Sequence, residues 1–344
     1  MTNKVLFAAL AAALALAGCG GGGSGGGASQ LHIVGSSTVY PFTTAVAEEF
    51  QRANEGMSAI VESTGTGAGL SLFCGGVGDD FPDFANASRR IKKSEAETCV
   101  KNGVRTIVEV PIGIDGLALI QGNDGPAFAL TPEQVYKAVA ANPYGKPNTA
   151  KAWRDVDPAL PAVPIRVYGP PTTSGTRDSF AELILEKGCK NDEMDALKKQ
   201  DEARHKEVCT KVREDGPWID STENDNLLIG KVGQNPGSIG ILGYSFMEEN
   251  KANVRGIPLG GVAPTAETIA SLQYPGARML YVYAKGEHVD AVPGMREFLA
   301  AYARAWSKGG YLEKRGLIPA PADAQAKAAT AATQLTPLDV SGLK

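Results

Sequence analysis

Three times in 344 residues a short apolar run breaks into a turn of Gly, Ser and Thr and then into a helix with an apolar stripe. Leu31 to Val34 leads through Gly35-Ser36-Ser37-Thr38 into a helix expected from Pro41 to Asn54, striped by Phe42, Ala45, Val46, Ala47 and Phe50. Ala59 to Glu62 leads through Ser63-Thr64-Gly65-Thr66-Gly67-Ala68-Gly69 into a second helix. Ile165 to Tyr168 leads through Thr172-Thr173-Ser174-Gly175-Thr176-Arg177 into a third, from Asp178 to Lys187. Strand, polar turn and helix in alternation is the pattern of an α/β fold with a largely parallel core.

The same turns carry chemistry. A helix N-terminus exposes unpaired N–H groups and a partial positive charge, so it holds an anion without a lysine. Glycine lets the backbone approach a ligand, and Ser and Thr hydroxyls both donate and accept. Taken singly, each turn reads as an ordinary helix cap. Three of them in one chain, with Arg89 and Arg177 beside such turns to supply charge-assisted bonds, point to a small oxyanion held between segments far apart in sequence. The glycines of Thr64-Gly65-Thr66-Gly67-Ala68-Gly69 lack the spacing of a dinucleotide fingerprint.

The N-terminal end reads as export. Lys4, an apolar run from Val5 to Leu16 and then small residues make residues 1–18 a signal peptide, too short for the ~20 apolar residues of a membrane span. Leu16-Ala17-Gly18-Cys19 resembles a bacterial lipobox, which makes Cys19 the expected lipidation site, and the glycine-rich stretch in 19–30 behaves as a flexible tether. The remainder is long enough for two lobes at ~100–200 residues each. With 34 basic and 38 acidic residues there is no field to draw nucleic acid. Export makes Cys74, Cys99, Cys189 and Cys209 candidates for disulfides. Three pairings are possible, and the sequence-local ones, 74 with 99 and 189 with 209, are favoured because each closes a compact loop. No CxxC pair exists and His32, His205 and His288 are scattered, so no metal site is expected. A secreted phosphatase or esterase finds little support, since Ser174 lacks a nucleophile elbow.

Several stretches carry a specific resemblance: Val34-Gly35-Ser36-Ser37-Thr38-Val39-Tyr40-Pro41-Phe42, Ser63 to Gly69, Asp83-Phe84-Ala85-Asn86-Ala87-Ser88-Arg89, Thr173-Ser174-Gly175-Thr176-Arg177, Asn235-Pro236-Gly237-Ser238-Ile239-Gly240 and Tyr274-Pro275-Gly276-Ala277-Arg278. In this order they resemble the substrate-binding protein of the high-affinity phosphate ABC transporter, over nearly the whole mature chain. The resemblance implies a type II periplasmic-binding-protein fold, two α/β lobes joined by hinge strands. It places residues 31–114 in lobe 1, 115–258 in lobe 2, and 259–344 in the return hinge and the rest of lobe 1; separately, the Ala-, Pro- and Thr-rich composition from Ala320 to Lys344 predicts a loosely held tail. It implies inorganic phosphate as ligand, bound by Ser37, Thr38, Thr66, Ser88, Arg89, Ser174, Gly175, Thr176 and Arg177. No cofactor and no catalytic residue are implied. The expected partners are the permease subunits, with the membrane reached through the lipid anchor and the protein a monomer on the periplasmic or outer face. Another tetrahedral oxyanion (sulfate, arsenate or a metal oxyanion) is the alternative ligand.

Two departures bear on selectivity. Where well-known members keep an aspartate that accepts the ligand's proton, this chain has Ser88 followed by Arg89. Where they keep an arginine four residues before the Ser-Gly-Thr serine, it has Pro170, and Arg177 follows the threonine instead. Asp115, near the expected hinge, reads as a plain turn residue before it reads as a substitute for that carboxylate. Arg89 has two expected roles, touching the ligand or latching the lobes, and Asn224 either lines the cleft or caps a helix.

Overall fold

The structure, a computed structural model, describes residues 29–172, 174–221 and 224–343. The signal peptide, Cys19, its tether and Thr173 lie outside the described residues.

The three turn-centred units form as read, with small shifts at their ends. Strand β1 (Ser29–Gly35) enters helix α1 (Tyr40–Ala53), whose buried Phe42, Ala45, Val46, Ala47 and Phe50 are the expected stripe. Strand β2 (Met57–Ser63) enters helix α2 (Thr66–Phe73). The third unit enters helix α3 (Gly175–Phe180), which runs on through a wider π turn (Ala181–Leu185) to Gly188. The other strands are β3 (Phe84–Ala87), β4 (Ile107–Gly122), β5 (Val167–Gly169), β6 (Trp218–Asp220), β7 (Ile239–Gly243), β8 (Val254–Gly256) and β9 (Ala277–Lys285). They pair in the order β2-β1-β3-β9-β4-β7-β5-β6, with β8 against β4.

Parallel pairing joins β1 to β2 and β3 at one end and β5 to β6 and β7 at the other. Between these ends the long β4, about 50 Å at the usual rise per residue, runs antiparallel to β9 and then to β7. Side chains alternate across the sheet. In the first lobe Phe84, Val282 and Ala284 join Leu31, Ile33, Phe50 and Phe298 on one face, while Ala85 and Tyr283 join Leu70 and Phe73 on the other. The second lobe has its own core, including Leu119, Tyr136, Trp153, Phe180, Trp218 and Ile241.

Which core a residue joins changes along the two long strands. On β4 Ile112 packs in the first core and Ile114 in the second, and on β9 Ala277 packs in the second and Leu280 in the first. Leu259, Ile269 and Tyr274, expected in the return hinge and the rest of lobe 1, pack in the second core. The register of β4 shifts between Pro111 and Gly113, where Gly113 has φ +153° and a Cβ would fall 2.7 Å from Leu317 Cγ. Only glycine fits that bend.

Cys74 is bonded to Cys99 and Cys189 to Cys209, the sequence-local pairs, each inside one lobe's core. A cross-link closing a loop of this size contributes about 3 kcal/mol. The segment after Ala320, expected to be loosely held, instead forms the helix Ala322–Gln334, with Ala328 and Ala332 buried in the first core and the Leu338 N–H bonded to the Ile107 carbonyl at 2.7 Å. Small alanines on one face of that helix allow close approach to the sheet, a packing signal that an Ala-, Pro- and Thr-rich composition conceals. Among the described residues no helix is long and apolar enough to cross a membrane.

Candidate functional site

The loop after β1 brings Ser37 and Thr38 to the edge of lobe 1, and Ser36 Oγ accepts the Val39 N–H at 3.3 Å to shape the entry to α1. Beside it, the Thr66 hydroxyl at the start of α2 accepts the Ser88 N–H at 3.1 Å and lies 2.9 Å from Ser88 Oγ. Thr38, Thr66 and Ser88 are all buried. One face of the cleft is therefore a row of neutral hydroxyls, from two helix entries and the loop after β3.

The opposite face is the start of α3. Ser174 caps it, its Oγ accepting the Thr176 N–H at 3.2 Å. Gly175 sits so close to the first lobe that a Cβ there would lie 3.1 Å from Thr38 Cα and 3.2 Å from the Ser37 carbonyl. Asp178, Ser179 and Glu182 follow at helical spacing on one side, facing lobe 1. Ser37 Oγ donates to Asp178, Ser88 Oγ donates to Glu182 Oε2 at 3.2 Å, and Thr38 Oγ1 donates to the Gly175 carbonyl at 3.4 Å.

Arg278, on β9 where the chain passes between cores, joins the two faces. Its guanidinium donates from Nε to Asp115 Oδ2 (3.1 Å), from Nη1 to Glu182 Oε2, and from Nη2 to Thr38 Oγ1 (2.9 Å) and Ser179 Oγ (2.7 Å). The single Ser179 proton is directed to Asp115 Oδ2 at 2.7 Å or to the Gly175 carbonyl at 3.0 Å. Arg278 is 8% exposed, so these bonds act in a setting of low effective dielectric. Thr66, Ser88, Glu182 and Arg278 line a cavity of about 750 Å³ between the lobes, with Arg89 and Lys206 at its sides. Burial raises the Glu186 carboxyl in this cavity above the usual carboxylate range. Burial, and then the charge of Arg278, lowers the nearby Lys187 ammonium.

Of the residues expected at the site, the structure brings together Ser37, Thr38, Thr66, Ser88 and the Ser174–Thr176 turn. The two arginines lie elsewhere in the local bonding. Arg89 forks onto Glu95 of its own lobe at 2.9 and 2.7 Å. That bond raises the Arg89 guanidinium further, and burial of Glu95 is outweighed by its bonds from Arg89 and the Lys92 N–H, leaving its carboxyl depressed. Arg177 stacks on Trp218, 4.5 Å from the ring centroid, and bonds the Pro170 carbonyl (2.9 Å) and Asp220 (3.0 Å). The Trp218 N–H, then Arg177, hold Asp220 below its ordinary range. Asn224 caps the helix Asp225–Gln234, accepting from the Asn226 and Leu227 N–H groups. Asp115 is at the centre, bonded to Arg278 and Ser179.

Sequence reasoning did not single out Arg278, Ser179 or Glu182. Arg278 closes the Tyr274 to Arg278 stretch, but an arginine in an extended strand carries no local sign of what it faces. For Ser179 and Glu182 the sign was present: they fall one and two helical turns after the Gly175 approach.

The PBP superfamily domain matches residues 22–304. Protein SphX of Synechococcus elongatus is 34% identical over 307 residues, covering 87% of this chain and 79% of that protein. The phosphate-binding protein PstS of Staphylococcus saprophyticus is 30% identical over 293 residues, covering 83% and 79%. Among solved structures, a possible phosphate binding protein from Planctomyces limnophilus superposes with a TM-score of 0.73 at 26% identity, over 89% of this chain and 98% of that one. The extent of these matches, on two lobes joined through β4 and β9, places the chain in the PBP superfamily.

Proposed function

We propose that this chain captures inorganic phosphate between its lobes and delivers it to the permease of an ABC transporter. The observation that carries the reading is the Arg278 guanidinium, bonded at once to lobe 1 through Thr38, to lobe 2 through Ser179 and Glu182, and to Asp115 on β4. A tetrahedral anion at this junction draws on the Thr38, Thr66 and Ser88 hydroxyls from one side, the Gly175 and Thr176 amides from the other, and Arg278 between. Hinge closure completes the cage and gives the transporter a closed form to recognise. Micromolar affinity needs about −8 kcal/mol, which several bonds to a charged group at ~1.5–3 kcal/mol each supply after desolvation. Arg89 and Arg177 serve by fixing the loop after β3 and the α3 turn through Glu95 and Trp218. The names of the staphylococcal and Planctomyces proteins lend support.

The same reading makes the protein a binder that performs no catalysis, a monomer exported by its signal peptide and tethered through lipidated Cys19. It divides the chain into lobes at the crossings on β4 and β9. Titration calorimetry of the full chain with phosphate tests it. Saturable binding at micromolar or tighter concentration, with one phosphate per chain, is expected; no heat of binding up to millimolar phosphate refutes it.

A further inference from the structure

We infer that Glu182 makes closure of the lobes, rather than first capture of the anion, the step that separates a protonated oxyanion from a fully deprotonated one. The inference rests on the phosphate reading above and specifies how that site selects.

The geometry begins with two donors that converge on one atom. Ser88 Oγ from lobe 1 and Arg278 Nη1 from β9 both point at Glu182 Oε2. The Ser88 proton is available for this because the Thr66 hydroxyl, already accepting the Ser88 N–H, can donate its own proton to Ser88 Oγ. An oxyanion that draws on Ser88 and Arg278 must bring an oxygen to the place where Glu182 reaches when the lobes meet. An ionised carboxylate only accepts hydrogen bonds. Against hydrogen phosphate it finds a P–O–H and accepts that proton; against sulfate, which has no proton at neutral pH, two acceptors face each other.

Which lobe supplies the carboxylate decides when the test is applied. Thr66 and Ser88 belong to lobe 1 and Glu182 to the helical run that begins at α3 in lobe 2. Lobe 1 alone offers hydroxyls, which suit either anion. Two more carboxylates at this junction are engaged differently, Asp178 with Ser37, and Asp115 with Ser179 and Arg278 Nε, while Glu186 and Glu202 line the cavity beside Glu182. Glu182, unlike Asp178 and Asp115, lines the cavity with Thr66, Ser88 and Arg278, and it is Glu182 that the Ser88 and Arg278 donors meet. Its side chain is 44% exposed, so it can swing to meet a ligand without disturbing a core.

The test measures affinity and closure together on the full chain, by calorimetry and small-angle scattering, with phosphate and sulfate. A site built around a ligand hydroxyl refuses an analogue without one by about 10⁴–10⁵, so the unaltered chain should favour phosphate by at least about 10³ and contract only with phosphate. Glu182→Gln, whose amide can donate, should narrow that preference by at least about 30-fold, and sulfate should then contract the chain as phosphate does. Glu182→Asp keeps the acceptor but withdraws it, so phosphate should weaken while sulfate remains refused. Glu133→Gln, which breaks an exposed ion pair with Lys137 away from the cleft, is the control and should leave the preference within about threefold. A preference unchanged in Glu182→Gln, or narrowed just as much in Glu133→Gln, overturns the role of Glu182 while leaving the phosphate reading intact. An unaltered chain that binds neither anion overturns that reading and this inference together.

Discussion

The two walls of the cleft are built from opposite chemistry. Lobe 1 contributes Ser37, Thr38, Thr66 and Ser88, all neutral; lobe 2 contributes Asp178, Ser179 and Glu182, two of them acidic. Each lobe-1 hydroxyl can donate or accept, whereas each ionised lobe-2 carboxylate can only accept. The lobes therefore bond to one another directly across the cleft. Among the described residues the cation bonded to both walls is Arg278, from the strand that passes between them. Hydroxyls supply direction without charge, and the arginine supplies the charge at the hinge, where it serves both lobes at once.

The comparison breaks most sharply at Arg278. Arg278→Ala leaves Asp115 and Glu182 facing without their cation, the situation in which a lost partner costs about 3–5 kcal/mol. Glu182 is half-exposed, which places the effect toward the lower end. Phosphate affinity should fall by at least roughly 10² and by up to about 10³, and Arg278→Lys should recover only part of it, because an ammonium cannot fork across four acceptors. Calorimetry reads both. Affinity within threefold of the unaltered chain would show that the charge at the hinge is not what the anion meets.

Thr38→Val comes next, since valine keeps the shape and deletes the hydroxyl that Arg278 holds at 2.9 Å. A bond to a charged group contributes ~1.5–3 kcal/mol, so a loss of about 10- to 100-fold in phosphate affinity is expected, with the melting temperature nearly unchanged. A smaller effect arises at Gly175, where an added methyl must displace the Thr38 backbone at 3.1 Å. The contact spans two bodies that can part, so the strain falls on closure. Gly175→Ala should weaken phosphate by roughly fivefold, about 1 kcal/mol, and leave each lobe's fold alone; a drop in melting temperature without a change in affinity would place the strain inside a lobe instead.

What the sequence made legible follows the same division. The strand-turn-helix units and the hydroxyls at their turns were readable because their signals are local: apolar period, glycine, and a capping residue within a few positions. The disulfides were readable for a related reason, each closing a short loop within one core. Arg278 was not, because what it faces is set by β4 and α3, which lie far away in sequence. Arg89 and Arg177 show the converse. Each stands beside a turn that looks like an anion site, and each lies nearer in space to a carboxylate of its own lobe, Glu95 or Asp220, than sequence position reveals.

The Arg89–Glu95 pair gives the smallest expected effect, and one that separates stability from binding. The fork is internal to lobe 1, with Arg89 36% and Glu95 22% exposed in the side chain, so solvent screens it and its contribution should stay under about 1 kcal/mol. Glu95 is held below its ordinary carboxylate range, so the folded state binds its proton less readily than the unfolded state does. The contribution is therefore complete above the unfolded carboxylate's titration and is lost as pH falls through the depressed folded value. Arg89→Gln should lower the melting temperature slightly at neutral pH, with the difference from the unaltered chain vanishing in acid, while phosphate affinity changes by less than about threefold. If affinity instead falls tenfold or more with no pH-dependent loss of stability, Arg89 turns toward the ligand on binding, and lobe 1 contributes a cation of its own to the cage.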